Sequence, residues 1–297
     1  MTDVNHPPRG VAALHPGLAG GAADPVRYLA RTGHPEPARA DTATLRSLQA
    51  AHMSAIPFEN LAIPLGAGVD VDPAAITAKL VDRRRGGYCY EHNLLFGGVL
   101  ERLGYKVSLL GARVRMGSEK VRPVSHAALL VEVDGEPLLT DVGFGADGLR
   151  APMPLRDGEV VEQDGWRYRL DHVDGEWLLS SWRPEGWLTL YGFSHRPQYP
   201  VDYEVYNHYT ATHPSSVFVG RLVAQRSTPS TRYSLVNTTF ATVNPRFERS
   251  EEQVAPDRIP GLLREVFGIE LDDEESAVLV GVAERLAAAR PEVVDQA

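Results

Sequence analysis

A single cysteine, Cys89, among 297 residues excludes an internal disulfide framework and any zinc site assembled from several thiolates. The ten histidines include no HExxH and no paired metal-ligand spacing, so no metal is expected. No apolar run approaches the ~20 residues that span a bilayer, and the N-terminal stretch lacks a charged region followed by an apolar signal core. A cytoplasmic chain with no membrane contact is therefore expected. Basic clusters are missing as well, apart from Arg83-Arg84-Arg85, and a formal net charge of −9 repels a generic polyanion. No nucleic-acid partner is expected.

What is present fits a folded protein. Hydrophobic residues make up 43% and charged residues 23%. The length exceeds the usual core of ~100–200 residues, which implies two or three packed units. Residues 1–23, rich in Gly, Ala, Pro and His without apolar period, are expected to form a loose tail. Asp24-Pro25 and Asp72-Pro73 each set an N-cap before a first-turn proline. They predict helices through Leu29 toward Gly33 and through Ile76, Leu80 and Val81. Between them, Asp41 or Thr42 to Met53 carries Leu45, Leu48 and His52 on one face. A fourth helix runs from Cys89 to Leu103, where Gly104 stops it. Residues 24–104 thus read as helical.

Beyond Gly104 the period changes. Tyr105–Met116, Ala127–Val133 and Pro137–Val142 predict strands, the last two joined by the tight-turn pair Asp134-Gly135. Asp164-Gly165 and Asp174-Gly175 punctuate Val160–Trp182 in the same way, so 105–202 is expected to be a small barrel or sandwich. A helical link at 203–213, strands at Val217–Gln225, Tyr233–Val236 and Phe240–Val243, and two helices ending in Val278–Ala289 make 203–297 a small α/β unit. The fold class is α+β in three parts.

Cys89 follows the glycine pair Gly86-Gly87, read as flexible, and opens an apolar-faced helix. Free N–H groups and the positive end of the helix dipole stabilise a thiolate there, and the same groups can hold an oxyanion. The bland alternative, a buried thiol acting as filler, is the common fate of a lone cysteine. A nucleophile needs a base and an orienting acid. His126 opens the strand Ala127–Val133, and Asp141 ends the next one. A hairpin between them can bring the two side by side, and a carboxylate behind Leu138-Leu139-Thr140 is costly unless paired. His92 is the rival base, but three residues from Cys89 on the same helix it is expected to line the surface or the core.

Taken in order, Ile56-Pro57-Phe58-Glu59-Asn60-Leu61, Arg84 to Asn93, the His126 strand, Asp141-Val142-Gly143-Phe144-Gly145 and Thr212 to Phe218 resemble the arylamine N-acetyltransferases across about 25–245. The resemblance implies a helical bundle, a β-barrel and an α/β lid around a papain-like core with a Cys89–His126–Asp141 triad. It implies a ping-pong reaction in which acetyl-CoA, as co-substrate, acylates Cys89 and an arylamine, arylhydrazine or N-hydroxyarylamine takes the acetyl group. By motif, Phe58, Phe144 and Phe218 would wall the acceptor pocket, and Ser125 and Gly145 would neighbour the CoA arm. Core packing is the plain alternative for each phenylalanine. Glu59 and Arg85 would form a structural ion pair. The segment Arg226–Tyr233 departs from the pattern, lacking the glycine before its arginine. Competing functions with the same triad are an amide synthase closing ansamycin-type macrolactams, a papain- or transglutaminase-type hydrolase, and a non-catalytic binding protein that keeps the fold. The preferred amine, the acyl length and the oligomeric state are left open by the sequence.

Overall fold

Capping chemistry sets the first helices where the sequence places them. The computed structural model describes residues 23–289. The expected tail lies outside these except for Ala23, which is buried. Side chains of Asp24, Asp41 and Asp72 accept backbone N–H groups at the starts of α1 (Pro25–Thr32), α2 (Thr42–Ala55) and α3 (Pro73–Thr77). The chain then widens into a π-type turn over Ala78–Asp82. The fourth helix, α4 (Cys89–Arg102), is buried on every side from Cys89 to Leu100, as a helix at the centre of a fold must be.

An eight-stranded antiparallel sheet follows, in the order β5-β4-β3-β2-β9-β8-β7-β6. Its strands are β2 (Lys106–Val114), β3 (His126–Val133), β4 (Glu136–Thr140), β5 (Met153–Pro154), β6 (Glu159–Gln163), β7 (Trp166–Val173), β8 (Glu176–Arg183) and β9 (Gly186–Pro197). The end strands β5 and β6 do not pair, but the Gln163 side chain bonds Arg150 N, Ala151 N and Ala151 O at 2.8–2.9 Å and bridges the seam of a near-barrel. Strand β3 is buried on both faces. Leu129 and Val131 pack on the α4 side, while Ala128 and Leu130 join Trp166, Tyr168 and Leu190 inside the barrel. Its unbroken apolar run Ala127–Val131 is what such a position requires.

After α5 (Pro200–Thr212) a five-stranded sheet runs β1-β10-β11-β12-β13. It contains β10 (Val223–Ser227), β11 (Arg232–Val236), β12 (Thr239–Val243) and β13 (Arg249–Gln253), backed by α6 (Ile259–Leu262), a π-type turn and α7 (Asp273–Ala288). Two expectations change here. The strand expected over Val217–Gln225 starts only at Val223, because 217–220 is a turn closed by Gly220 at φ 75°, with Val217 57% exposed. The edge strand of this sheet, β1 (Phe58–Glu59), comes from the helical segment: Phe58 pairs with Gln225 and Glu59 with Ala224. Two residues are too few to leave a period in the sequence. No helix among the described residues is long and apolar enough to cross a membrane.

Candidate active site

The glycines before Cys89 owe their presence to close approach. Gly86 and Gly87 are buried, neither has a positive φ, and a side-chain carbon on either would overlap the Pro57 carbonyl or the Glu91 carboxylate. The flexible pair expected from the sequence is therefore a packed crossing, stitched by the Glu59 N–H donating to Gly87 O at 2.7 Å. Glu91 completes the helix start. It accepts from the Tyr88 N–H at 3.0 Å and pairs with Lys79 at 2.7 Å. Arg85 lies against Glu59 at 3.5 Å and bonds Glu275 at 2.9 Å, and Arg83 also reaches Glu275, so these cations serve the joint between segments.

Cys89 sits at the first turn of α4 with its Sγ 3.7 Å from the Ser125 carbonyl, to which a protonated thiol donates. His126 and Asp141 meet across the hairpin, Nε2 to Oδ2 at 2.7 Å, both fully buried. The carboxylate also accepts from Asn93 Nδ2 at 3.1 Å and from the Gly143 N–H at 2.8 Å. Burial alone would raise the Asp141 pKa, but the His126 charge and these donors outweigh it and the carboxyl is held low. For His126, burial pulls downward; the Asp141 charge and bond, helped by the adjoining Cys89 sulfur, overcome it and push the imidazole up to about 10. The ring is thus an imidazolium at neutral pH, next to a sulfur.

His92, the rival base, is turned away into the core. Its Nδ1 bonds His52 Nε2 at 2.7 Å and its Nε2 donates to Pro57 O at 3.2 Å, while Tyr28 donates to His52 Nδ1 at 2.9 Å. Burial pushes His92 down to about 4. Asn93, one residue on, is the site residue that sequence reasoning passed over. Besides Asp141, its amide bonds Ala127 O at 2.7 Å and Cys89 O at 3.3 Å, and its Oδ1 accepts from Val142 N. The available signal was its spacing of four residues from Cys89, which puts both on one helix face.

A cavity of about 580 Å³ opens over Cys89. Phe58, Phe144, Phe218, Ser125 and His126 line it. Phe58 faces Phe218 with ring centroids 5.9 Å apart, and Phe144 meets the edge of His126 at 5.0 Å. Gly145 is not among the residues that line this cavity. At φ 85° it packs against the Gln225 side chain, whose Oε1 accepts from Ala146 N at 3.0 Å. Gly143 does line the cavity, and a side-chain carbon there would sit 2.8 Å from Cys89 Cα. Arg232, in the segment that departs from the usual pattern, points inward to Asp147 at 2.8 Å and to the Tyr168 hydroxyl at 2.9 Å. Among the described residues no group of three or more His, Cys, Asp or Glu is placed to hold a metal.

A thiol at a helix start, an imidazole–carboxylate pair beside it and an aromatic-walled cavity above are the equipment of thiol enzymes that transfer acyl groups. The chain belongs to the arylamine N-acetyltransferase family and is an acetyltransferase. A family model described as N-acetyltransferase matches residues 41–276. The arylamine N-acetyltransferase of Mycolicibacterium smegmatis is 40% identical over 259 residues, 83% of this chain and 92% of the relative. The crystal structure of the Nocardia farcinica arylamine N-acetyltransferase is similar with a TM-score of 0.86 at 37% identity, covering 92% of this chain and 99% of that one. The Mycobacterium marinum arylamine N-acetyltransferase, solved in complex with CoA, aligns with a TM-score of 0.84 at 34% identity over 88% of this chain and 99% of its own.

Proposed function

We propose that the protein moves an acetyl group from acetyl-CoA to an arylamine, arylhydrazine or N-hydroxyarylamine through a thioester on Cys89. The observation that carries this is the buried His126–Asp141 pair at 2.7 Å, with Cys89 beside the ring at the floor of the cavity. The CoA complex of the M. marinum relative supports acetyl-CoA as the donor. In the first half-reaction the Cys89 thiolate attacks the thioester carbonyl, and the sulfur of CoA leaves with the proton of the His126 imidazolium. The start of α4 supplies N–H groups as donors for the oxygen that becomes negative. His126 is then neutral beside an uncharged acetyl-cysteine. In the second half-reaction the amine attacks, His126 takes its proton, and the thiolate–imidazolium pair is restored as the amide departs. Asp141 holds the ring so that Nδ1 is free for this work, and Asn93 and the Gly143 N–H hold Asp141.

Incubation with acetyl-CoA alone is expected to release one equivalent of CoA in a burst and leave an acetyl adduct on Cys89, visible by mass spectrometry of the intact protein. Cys89→Ser should abolish both, since a serine hydroxyl at neutral pH is not ionised. Burst and adduct in the serine variant would remove Cys89 from the reaction. Release of the acetyl group as fast by water as by an aromatic amine would make the protein a hydrolase.

A further inference from the structure

Most of the arginines that are not fully exposed have partners. Arg31, Arg85, Arg115, Arg150, Arg169, Arg183, Arg226 and Arg232 each bond a carboxylate, a carbonyl or both. Among the described residues, Arg122 and Arg221 are the two half-buried arginines whose guanidinium groups have no hydrogen bond, ion pair or ring contact. Both line the cavity over Cys89. In a chain of net charge −9, two partly desolvated cations left unpaired in one cavity are a cost unless something anionic is meant to enter it. The carboxylate that shares the cavity does not satisfy them, because Asp147 is taken by Arg183 at 2.5 Å and by Arg232 at 2.8 Å.

The two arginines differ in what holds them. Arg122 also borders a second cavity of about 550 Å³, which shares Val114 with the first and includes Lys120 and Arg196. Arg221 belongs to the aromatic end. Asn60 Nδ2 donates to both the Phe218 and the Arg221 carbonyls at 2.9 Å, which fixes that segment against the turn after β1, where Phe58 faces Phe218. The Arg221 side chain is thereby registered to the two rings that would hold an aromatic acceptor. Resting on the acetyl-transfer function proposed above, we infer that Arg221 is a specificity-determining residue that pairs with an acidic substituent, a carboxylate or sulfonate, on the acceptor ring. A guanidinium suits such a group because its planar fork donates two parallel bonds, and a neutral substituent leaves it unpaired in a partly dry cavity.

The same positive charge would also suit the phosphates of the donor, so the test separates the two anions. Initial rates are measured with 4-aminobenzoate and with its methyl ester, which keeps the ring and amine but loses the charge. The kcat/KM ratio of acid to ester in the wild type should fall by at least about tenfold in Arg221→Met, the loss of one charge-assisted pair, and recover partly in Arg221→Lys. The KM for acetyl-CoA is followed alongside, and S-acetyl-pantetheine, which lacks the adenosine phosphates, serves as the second donor. An unchanged ratio with a raised KM for acetyl-CoA that disappears with S-acetyl-pantetheine would assign Arg221 to the donor and overturn the inference. An unchanged ratio with no donor effect overturns it too. If the variants do not fold, the wild type still decides: benzoate should inhibit acetylation of the ester at lower concentration than benzamide, and equal inhibition refutes the acceptor site. Failure of acetyl transfer itself shows separately, as the absence of a CoA burst from the wild type.

Discussion

At the scale of single residues, the site is governed by what a buried carboxylate demands. Asp141 is fully buried and needs hydrogen-bond donors in place of water, and it finds three, on His126, Asn93 and Gly143 N. His126→Ala should cost about 1–3 kcal/mol of stability, at the lower end for a broken buried pair because two donors remain. His126→Ala/Asp141→Asn should recover part of that loss while staying inactive, and Asp141→Asn alone should slow acylation by several orders of magnitude through loss of the imidazolium. Urea midpoints of the singles and the double check the coupling; strict additivity would mean that the two side chains do not interact. The type and order of Cys89, His126 and Asp141 are legible in the sequence because each stands at the end of a recognisable element. Gly145 is legible only as part of a motif, and its actual neighbour, Gln225, comes from a strand eighty positions on that no local pattern links to it.

At the scale of elements, α4 is the central object, and its buried polar residues are tolerated because each is bonded. The chain Tyr28–His52–His92–Pro57 joins α1, α2, α4 and the loop before β1 through two histidines that burial keeps neutral. In the unfolded chain both rings take protons near pH ~6.5, whereas folded His92 does so only at about 4. The contribution of this chain is therefore complete above pH ~6.5 and lost progressively as pH falls toward 4. His92→Gln should flatten the slope of melting temperature against pH in that window; identical slopes would show that His92 does not carry the effect. Helix caps and Asp-Gly turns made most elements readable, since a local bond sets each. β1 and the start of β10 were not, because a two-residue strand and a turn rich in β-formers take their state from partners elsewhere in the chain.

At the scale of the molecule, three buried clusters make up the core, and charged hubs fasten them. Arg232 of β11 stacks 3.3 Å over the Trp166 ring of β7 and bonds Asp147 and Tyr168, tying the C-terminal sheet to the barrel. Arg232→Met should lower stability by about 1–3 kcal/mol, since it removes the donor to the Tyr168 hydroxyl, which keeps its own bond to Gly148 O, and half of the Asp147 pairing. Chemical denaturation followed at Trp166 and, separately, by CoA release would show whether the C-terminal sheet leaves first. A cost below about 0.5 kcal/mol would make the hub a surface-like pair.

The sequence by itself determined the helix starts, the hairpins, the class of fold and the place of the one thiol at a helix start, because caps, turns and a thiol at a helix N-terminus are set within a few residues of one another. Only the tertiary structure decided which histidine stands beside the thiol, that Gly86 and Gly87 are packed rather than loose, and that Asn93 bonds Asp141 and Gln225 bonds Ala146. It also decided that Arg122 and Arg221 stand unpaired in one cavity. These are consequences of long-range approach: burial, desolvation and the absence of a partner are properties of the space around a side chain, and that space is built by residues far away in the chain.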